Sequence, residues 1–388
     1  MSRAAERLDG LDATRGAIML LMALDHVGAL VVRRHSVEFW GGAWTRYADT
    51  GRNVTQLILR LASDLCAPGF FFWMGAGAAL LAQRRPDWGT AQFRRHWLAR
   101  GVLLLAVSQM IEVPAWIVGI AGDGTGQPPP AWPGHGAPVR LAWTVLSCLG
   151  GCMLVLGALH PLLRRPGAAY LLALPCLAAT PLFLPPPDAA MRAESIAARL
   201  LLVPGQTGGV YVEYPLLPWL AFVLLGFAAG RRLAVAPARA IRAALIAGMA
   251  CIGVALALRW SGIGSIRPPR DASWREFVNL IKYPPSLVYI LSMLGGNLCL
   301  FHLFSRLSAR RDAVLPRVLR VFGRAPLVFY VVHLWLFAVI GALFFRHGTH
   351  YAVGLGVWLA ALPVLYRICA RFGAWRRAAP AASWLQLV

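Results

Sequence analysis

The chain has 388 residues, 58% of them hydrophobic and 14% charged, with a mean hydropathy of +0.60, a balance that excludes a soluble globular domain. The formal net charge of +22 would fit a nucleic-acid partner in a soluble protein. Here the basic residues sit in short segments between long apolar runs, so the expected partner is the lipid bilayer and not nucleic acid.

The first apolar segment, from Gly16 to Val32, carries Asp25 and His26 in its middle, with Asp12 and Arg15 just before it. Titratable side chains are costly inside a bilayer, and those that persist there line cavities and do chemistry or transport. Arg15 and His26 are eleven residues apart, which places them within about 20° of one helix face and about 16 Å apart along it. A signal peptide is the competing reading of this stretch. It has no small-x-small cleavage site and holds Asp25-His26 inside its apolar part, so a spanning helix is expected.

Apolar stretches near the length of a membrane crossing recur at roughly 16–33, 62–83, 97–119, 140–162, 168–185, 214–231, 240–260, 286–306, 323–345 and 351–370. The fold class is therefore all-α, a polytopic membrane protein of about ten transmembrane helices in a single domain over 1–388. An even number puts both termini on one side. Alternate loops hold 24 of the 38 basic residues, Arg84, Arg85 and Arg324 among them, and these are also the shorter loops. Both termini are accordingly expected in the cytoplasm.

The outer segments are longer. Residues 34–61 mix Trp40, Trp44, Arg46 and Tyr47 with turn residues, and 121–139 is too rich in Gly and Pro for regular structure. In 273–281, Ser273 and Glu276 form a capping box, and Trp274, Phe277, Val278 and Ile281 share a face, the pattern of a short helix on the outer membrane surface. Ser286, after Tyr283-Pro284-Pro285, should cap the next span.

Two histidines, His26 in the first span and His333 in the ninth, fall nine to ten residues from the cytoplasmic side, near mid-membrane. Asp64, at the outer start of the second span, is placed to approach His26 from above or to act as a simple helix cap. Asp25 points about 100° away from His26 around the helix. Core packing is the plain alternative for each histidine. The paired arginines are chiefly topological signals, yet a guanidinium-rich cytoplasmic rim also suits a phosphate-bearing ligand such as coenzyme A or a lipid headgroup. Seven cysteines lie in or near apolar segments and read as packing residues. Cys148 and Cys152 are a turn apart with no His or Cys cluster beside them, and no metal is expected.

Five stretches taken in order resemble a known family: Arg7 to Gly16 followed by the run to Asp25-His26; Ala67-Pro68-Gly69-Phe70 to Gly75; Tyr214-Pro215 to Trp219 with Gly226; Tyr283 to Leu287 with Gly295; and Gly323-Arg324 to Tyr330 and His333. The set is similar to the transmembrane acyltransferase superfamily, and within it to the bacterial heparan-alpha-glucosaminide N-acetyltransferase-like branch. The resemblance implies an inner-membrane enzyme that takes an acyl group, commonly acetyl, from cytoplasmic acetyl-CoA and delivers it to a sugar or glycolipid hydroxyl or amine across the membrane. It also implies that His26 is the catalytic residue, as base or transient acyl carrier. His333 or Tyr330 would then serve as a second proton donor, with Asp25 and Asp64 beside them and Arg15, Arg84, Arg85 and Arg324 as candidates for the CoA phosphates. The sequence around His26 departs from that of the lysosomal enzyme, so glucosamine specificity does not carry over. The alternative from another class is a proton-coupled transporter or flippase using the same intramembrane Asp and His residues.

Overall fold

A computed structural model of the chain describes residues 3–34, 54–85, 87–120, 139–186, 189, 192–193, 195–269, 271–310, 313–380 and single positions beyond. Trp40, Trp44, Arg46, Tyr47, Trp132 and most of the two segments expected as outer loops, 34–61 and 121–139, lie outside these residues. The described residues form helices α1 (Arg3–Val27), α2 (Val54–Ser63), α3 (Cys66–Arg84), α4 (Thr90–Val107), α5 (Val113–Ile120), α6 (Val145–Leu163), α7 (Ala168–Phe183), α8 (Ile196–Leu201), α9 (Leu216–Val235), α10 (Pro237–Ser261), α11 (Trp274–Val278), α12 (Leu287–Ser308), α13 (Val314–Gly323), α14 (Pro326–Phe344) and α15 (Tyr351–Ala378).

Among the described residues, nine helical stretches are long and apolar enough to cross a membrane: Asp9–Val32, Val54–Arg84, Thr90–Ile120, Val145–Leu163, Leu216–Val235, Pro237–Ser261, Leu287–Ser308, Pro326–Phe344 and Tyr351–Ala378. The protein is an all-α polytopic membrane protein. The remaining candidate, 168–185, is the 16-residue α7, with Pro175 and Pro181 inside it. At 1.5 Å per residue it measures about 24 Å, short of a typical hydrocarbon core.

Helix ends obey their local chemistry. Ser286 caps α12, its hydroxyl accepting from the Tyr289 N–H at 3.1 Å. Ser273 caps α11 through the Glu276 N–H, but α11 ends at Val278 and not at Ile281. Asp64 does not cap. It sits with Leu65 in a turn that separates α2 from α3 within one long membrane stretch. A small sheet that the apolar pattern does not reveal, β1 (Leu141–Trp143), β2 (Gly205–Thr207) and β3 (Val210–Val212), has order β1-β3-β2, with β1 parallel and β2 antiparallel to β3. Strands of three residues leave no periodicity to read.

The core runs between α1, α3, α9, α12 and α14. Small residues let backbones meet, as is usual where lipid supplies no hydrophobic drive. A Cβ on Gly16 would lie 2.0 Å from the Leu319 carbonyl oxygen, and one on Gly323 would lie 1.9 Å from that of Asp12. This contact locks α1 against α13. The two helices are also joined by ion pairs, Asp9 with Arg320 and Arg324 and Asp12 with Arg324.

Candidate active site

Helix α1 carries the site. It runs antiparallel to α3: the Cys66 thiol donates to the Ile18 carbonyl, and Arg15 donates to the Trp73 carbonyl at 2.8 Å. Arg15, Asp12 and Asp9 therefore share one end of the bundle with the close of α3 and with α13. His26 points into the interior toward the other end. It lies seventeen residues after Asp9 and six before Val32, nearer that end than the sequence spacing implies, because the apolar helix begins well before Gly16.

His26 meets His333 directly. The Nδ1 of His26 lies 2.8 Å from Nε2 of His333, and the rings are stacked with centroids 5.0 Å apart. The second nitrogen of His333 fixes the proton inventory. Its Nδ1 lies 2.7 Å from the Phe329 carbonyl oxygen, which only accepts, so Nδ1 carries the proton and Nε2 the lone pair. His26 must then donate from Nδ1, which leaves the lone pair of the neutral His26 ring on Nε2. His333 is fully buried, whereas His26 keeps 9% of its surface exposed. The pair thus has one member fully enclosed and one that keeps a small exposed surface.

Aromatic side chains frame the pair. Trp116 of α5 packs edge-on to His26 at 5.1 Å, and Tyr330 packs edge-on to His26 at 6.0 Å and to His333 at 5.6 Å. The Tyr330 hydroxyl donates to Oε1 of Glu112 at 2.7 Å. Where the sequence suggests a Tyr330 proton at the service of His26, the structure directs that proton to Glu112. Ser108 and Thr144 donate to the other carboxylate oxygen at 2.8 and 2.7 Å.

Sequence reasoning misses Glu112. The signal is present: Glu112 is the one carboxylate in the apolar stretch 97–119, as far from its end as His26 is from the end of the first span. Two π-helical turns adjoin the site, Gly28–Val32 just after His26 and Ser108–Glu112. Such turns add a residue to the helix and re-aim the side chains beyond it, often at functional sites.

The other expected residues divide into two groups. Asp64 is buried with Arg60 (3.9 Å) and Lys282 (3.8 Å), and Tyr289 donates to its backbone carbonyl at 3.1 Å. Arg60 also donates to Asn279 and Leu280. Asp64 therefore ties α2 to the segment before α12. Asp25, about 100° from His26 around α1, lines a cleft with Arg34, Gln56, Arg60 and Tyr351. Nearby, Tyr283 donates to Tyr214 at 2.9 Å. Burial, reinforced by the charge of Glu213, pushes both phenols well above their usual range and keeps them protonated.

At the basic end, Arg15 and Arg376 lie within electrostatic reach of Arg100, whose guanidinium stacks over Trp97 at 5.6 Å. Arg324 is half-exposed and held by Asp9 and Asp12. Arg84 and Arg85 are on the exposed end of α3, Arg85 over the Trp88 ring at 5.6 Å. Among the described residues, no group of three or more His, Cys, Asp or Glu side chains could hold a metal ion.

A buried histidine pair in a helical bundle, with a gathering of arginines at one end of the same helix, makes up the candidate site. The sequence pattern of the acyltransferase domain family matches residues 8–385, and the chain belongs to that family. No curated protein matches it.

Proposed function

We propose that the protein moves an acyl group, commonly acetyl, from acyl-CoA on the cytoplasmic side to a hydroxyl or amine of a sugar or glycolipid on the outer side of a bacterial inner membrane. In this reading both termini are cytoplasmic, and the chain stands with the heparan-alpha-glucosaminide N-acetyltransferase-like branch of its family. The observation that carries the reading is the hydrogen bond between His26 and His333, whose proton inventory puts a basic nitrogen at Nε2 of the more accessible ring.

That nitrogen sets the chemistry. Nε2 of His26 takes the proton of the acceptor hydroxyl or amine as the acceptor attacks the thioester carbonyl. The new O–C or N–C bond forms, the C–S bond breaks, and His26 returns the proton to the departing thiolate. Direct attack by Nε2 to give an acyl-imidazole uses the same lone pair. His333 holds the ring in the productive tautomer and shares the transient positive charge, as the third member of a catalytic triad does. Arg15, with Arg100 and Arg376 around it, lies about 16 Å along α1 from His26. It would receive the CoA phosphates while the thioester reaches inward.

Purified protein incubated with labelled acetyl-CoA and an amino sugar as probe acceptor tests the reading. Thiol release that depends on the acceptor, with label recovered on the sugar, is expected. Proton flux driven by substrate without thioester loss would instead establish a carrier.

A further inference from the structure

Glu112 is a charge-bearing residue that the proposed transfer step does not use. Its carboxylate lies in a membrane-spanning stretch and is 1% exposed. Three hydroxyls, of Tyr330, Ser108 and Thr144, turn their protons toward it. Ser108 in turn accepts from Ser147, and Ser147 from Gln109. Such a set can give three protons to an ionised carboxylate, while the Ser108 and Thr144 oxygens, 2.9 Å apart, can also accept the proton of the acid form. Among the described residues no Arg, Lys or His forms an ion pair with it. A buried carboxylate without a cation is expensive, and a fold that needed only packing would gain from an apolar side chain there.

One side chain, Tyr330, stands between Glu112 and the imidazoles that turn positive in the proposed transfer step. Tyr330, which bonds Glu112 through its hydroxyl, packs its ring edge-on against both His26 and His333. Trp116, one helical turn beyond Glu112, packs against His26. With Glu112 ionised, the resting site holds an anion beside a neutral imidazole pair, and the reaction supplies the missing cation.

We propose that Glu112 is the built-in counter-charge of the His26–His333 pair, a positioning residue that acts through Tyr330 to stabilise the imidazolium formed when His26 accepts the acceptor's proton. The proposal rests on the acyl-transfer reading for its purpose, but its electrostatic content is independent of any acceptor. Because the Tyr330 proton is committed to Glu112, the phenol oxygen offers lone pairs and not a proton to the reaction space. Tyr330 is then a hydrogen-bond acceptor for imidazolium or nucleophile, and the proton returns to the thiolate from His26 alone.

The test reads the charge state of the pair directly. In detergent-solubilised protein labelled with 15N-histidine, the His26 and His333 resonances, assigned by their loss in His26→Gln and His333→Gln, report the cationic fraction at a fixed mildly acidic pH. Glu112→Gln keeps the side chain's size and removes its charge, and it is expected to lower that fraction about tenfold, the effect of one unit charge at short range in a partly polar interior. Tyr330→Phe, which keeps the ring and breaks the hydroxyl link, should lower it in the same direction by a smaller factor. That variant carries the test should Glu112→Gln fail to fold. An unchanged cationic fraction in either variant, with native chromatographic behaviour and unfolding temperature, would overturn the proposal. A tenfold loss in protein that consumes no thioester would leave the counter-charge standing and defeat the functional reading instead.

Discussion

Nδ1 of His26 and Nε2 of His333 are 2.8 Å apart although 307 residues separate them in the chain. Helix α14 brings the second ring to the first, and the backbone carbonyl of Phe329, one turn earlier on that helix, dictates which nitrogen carries which proton. At the other end of α1, glycine contacts and ion pairs hold the helix against α13. Pairing and anchoring can be perturbed separately.

Removing the orienting ring should cost turnover and not binding. His333→Phe deletes the acceptor for the Nδ1 proton of His26, and kcat is expected to fall about 10²–10⁴-fold with the KM for acyl-CoA little changed. His333→Gln, whose side-chain oxygen can still accept, should retain more activity. Steady-state thiol release checks both; equal rates for the two variants would contradict the orienting role.

Arg100 should act on donor binding. With Arg15 and Arg376 in electrostatic reach, its guanidinium sits where a phosphate would relieve like-charge repulsion. Arg100→Gln is expected to raise the KM for acetyl-CoA about tenfold or more, with kcat at saturation nearly unchanged. The variant should also lose preference for acetyl-CoA over acetyl-pantetheine, which lacks the nucleotide phosphates. A preserved preference would remove Arg100 from the donor site.

The α1–α13 contact should be intolerant of side chains. Gly323→Val places atoms inside the van der Waals envelope of the Asp12 carbonyl and must push the helices apart, weakening the ion pairs of Asp9 and Asp12 with Arg320 and Arg324. A loss of about 2 kcal/mol or more is expected. Thermal unfolding in detergent measures it, and an unshifted transition would show that the contact yields at no cost.

Asp64 should prove structural. Asp64→Asn strands the charges of Arg60 and Lys282 in a buried cluster and is expected to destabilise the fold by about 3 kcal/mol. Because these partners tie α2 to the segment before α12, kcat in the folded fraction should stay within about threefold of the parent. The pairing of a hundredfold loss in kcat with an unchanged unfolding temperature would place Asp64 in the reaction.

The spans are legible in the sequence because 20-residue apolar runs, unlike short strands, leave a signal no tertiary context can hide. Ser286 declares its cap, and His26 stands out as an imidazole in an apolar stretch. His333 is visible as a second histidine at depth, but its contact with His26 is not, since pairing between helices depends on rotation and tilt that periodicity does not encode. Asp25 and Asp64 draw attention for the same reason as His26. Asp25 lines a cleft with Arg34, Gln56 and Tyr351, and Asp64 sits in a buried cluster with Arg60 and Lys282. Glu112 stands as deep in its apolar stretch as His26, yet its place emerges only from the π-turn at Ser108–Glu112 and the hydroxyls converging on it. The three-stranded sheet rests on residues brought together across the chain and has no local signature.

On the proposed mechanism, acyl transfer passes through the imidazole of His26. Acceptor-dependent thiol release from acetyl-CoA by purified protein probes this step, compared with His26→Gln protein of matched unfolding temperature and acyl-CoA affinity. A loss of about 10³-fold or more is predicted for the variant. Undiminished release would contradict the mechanism.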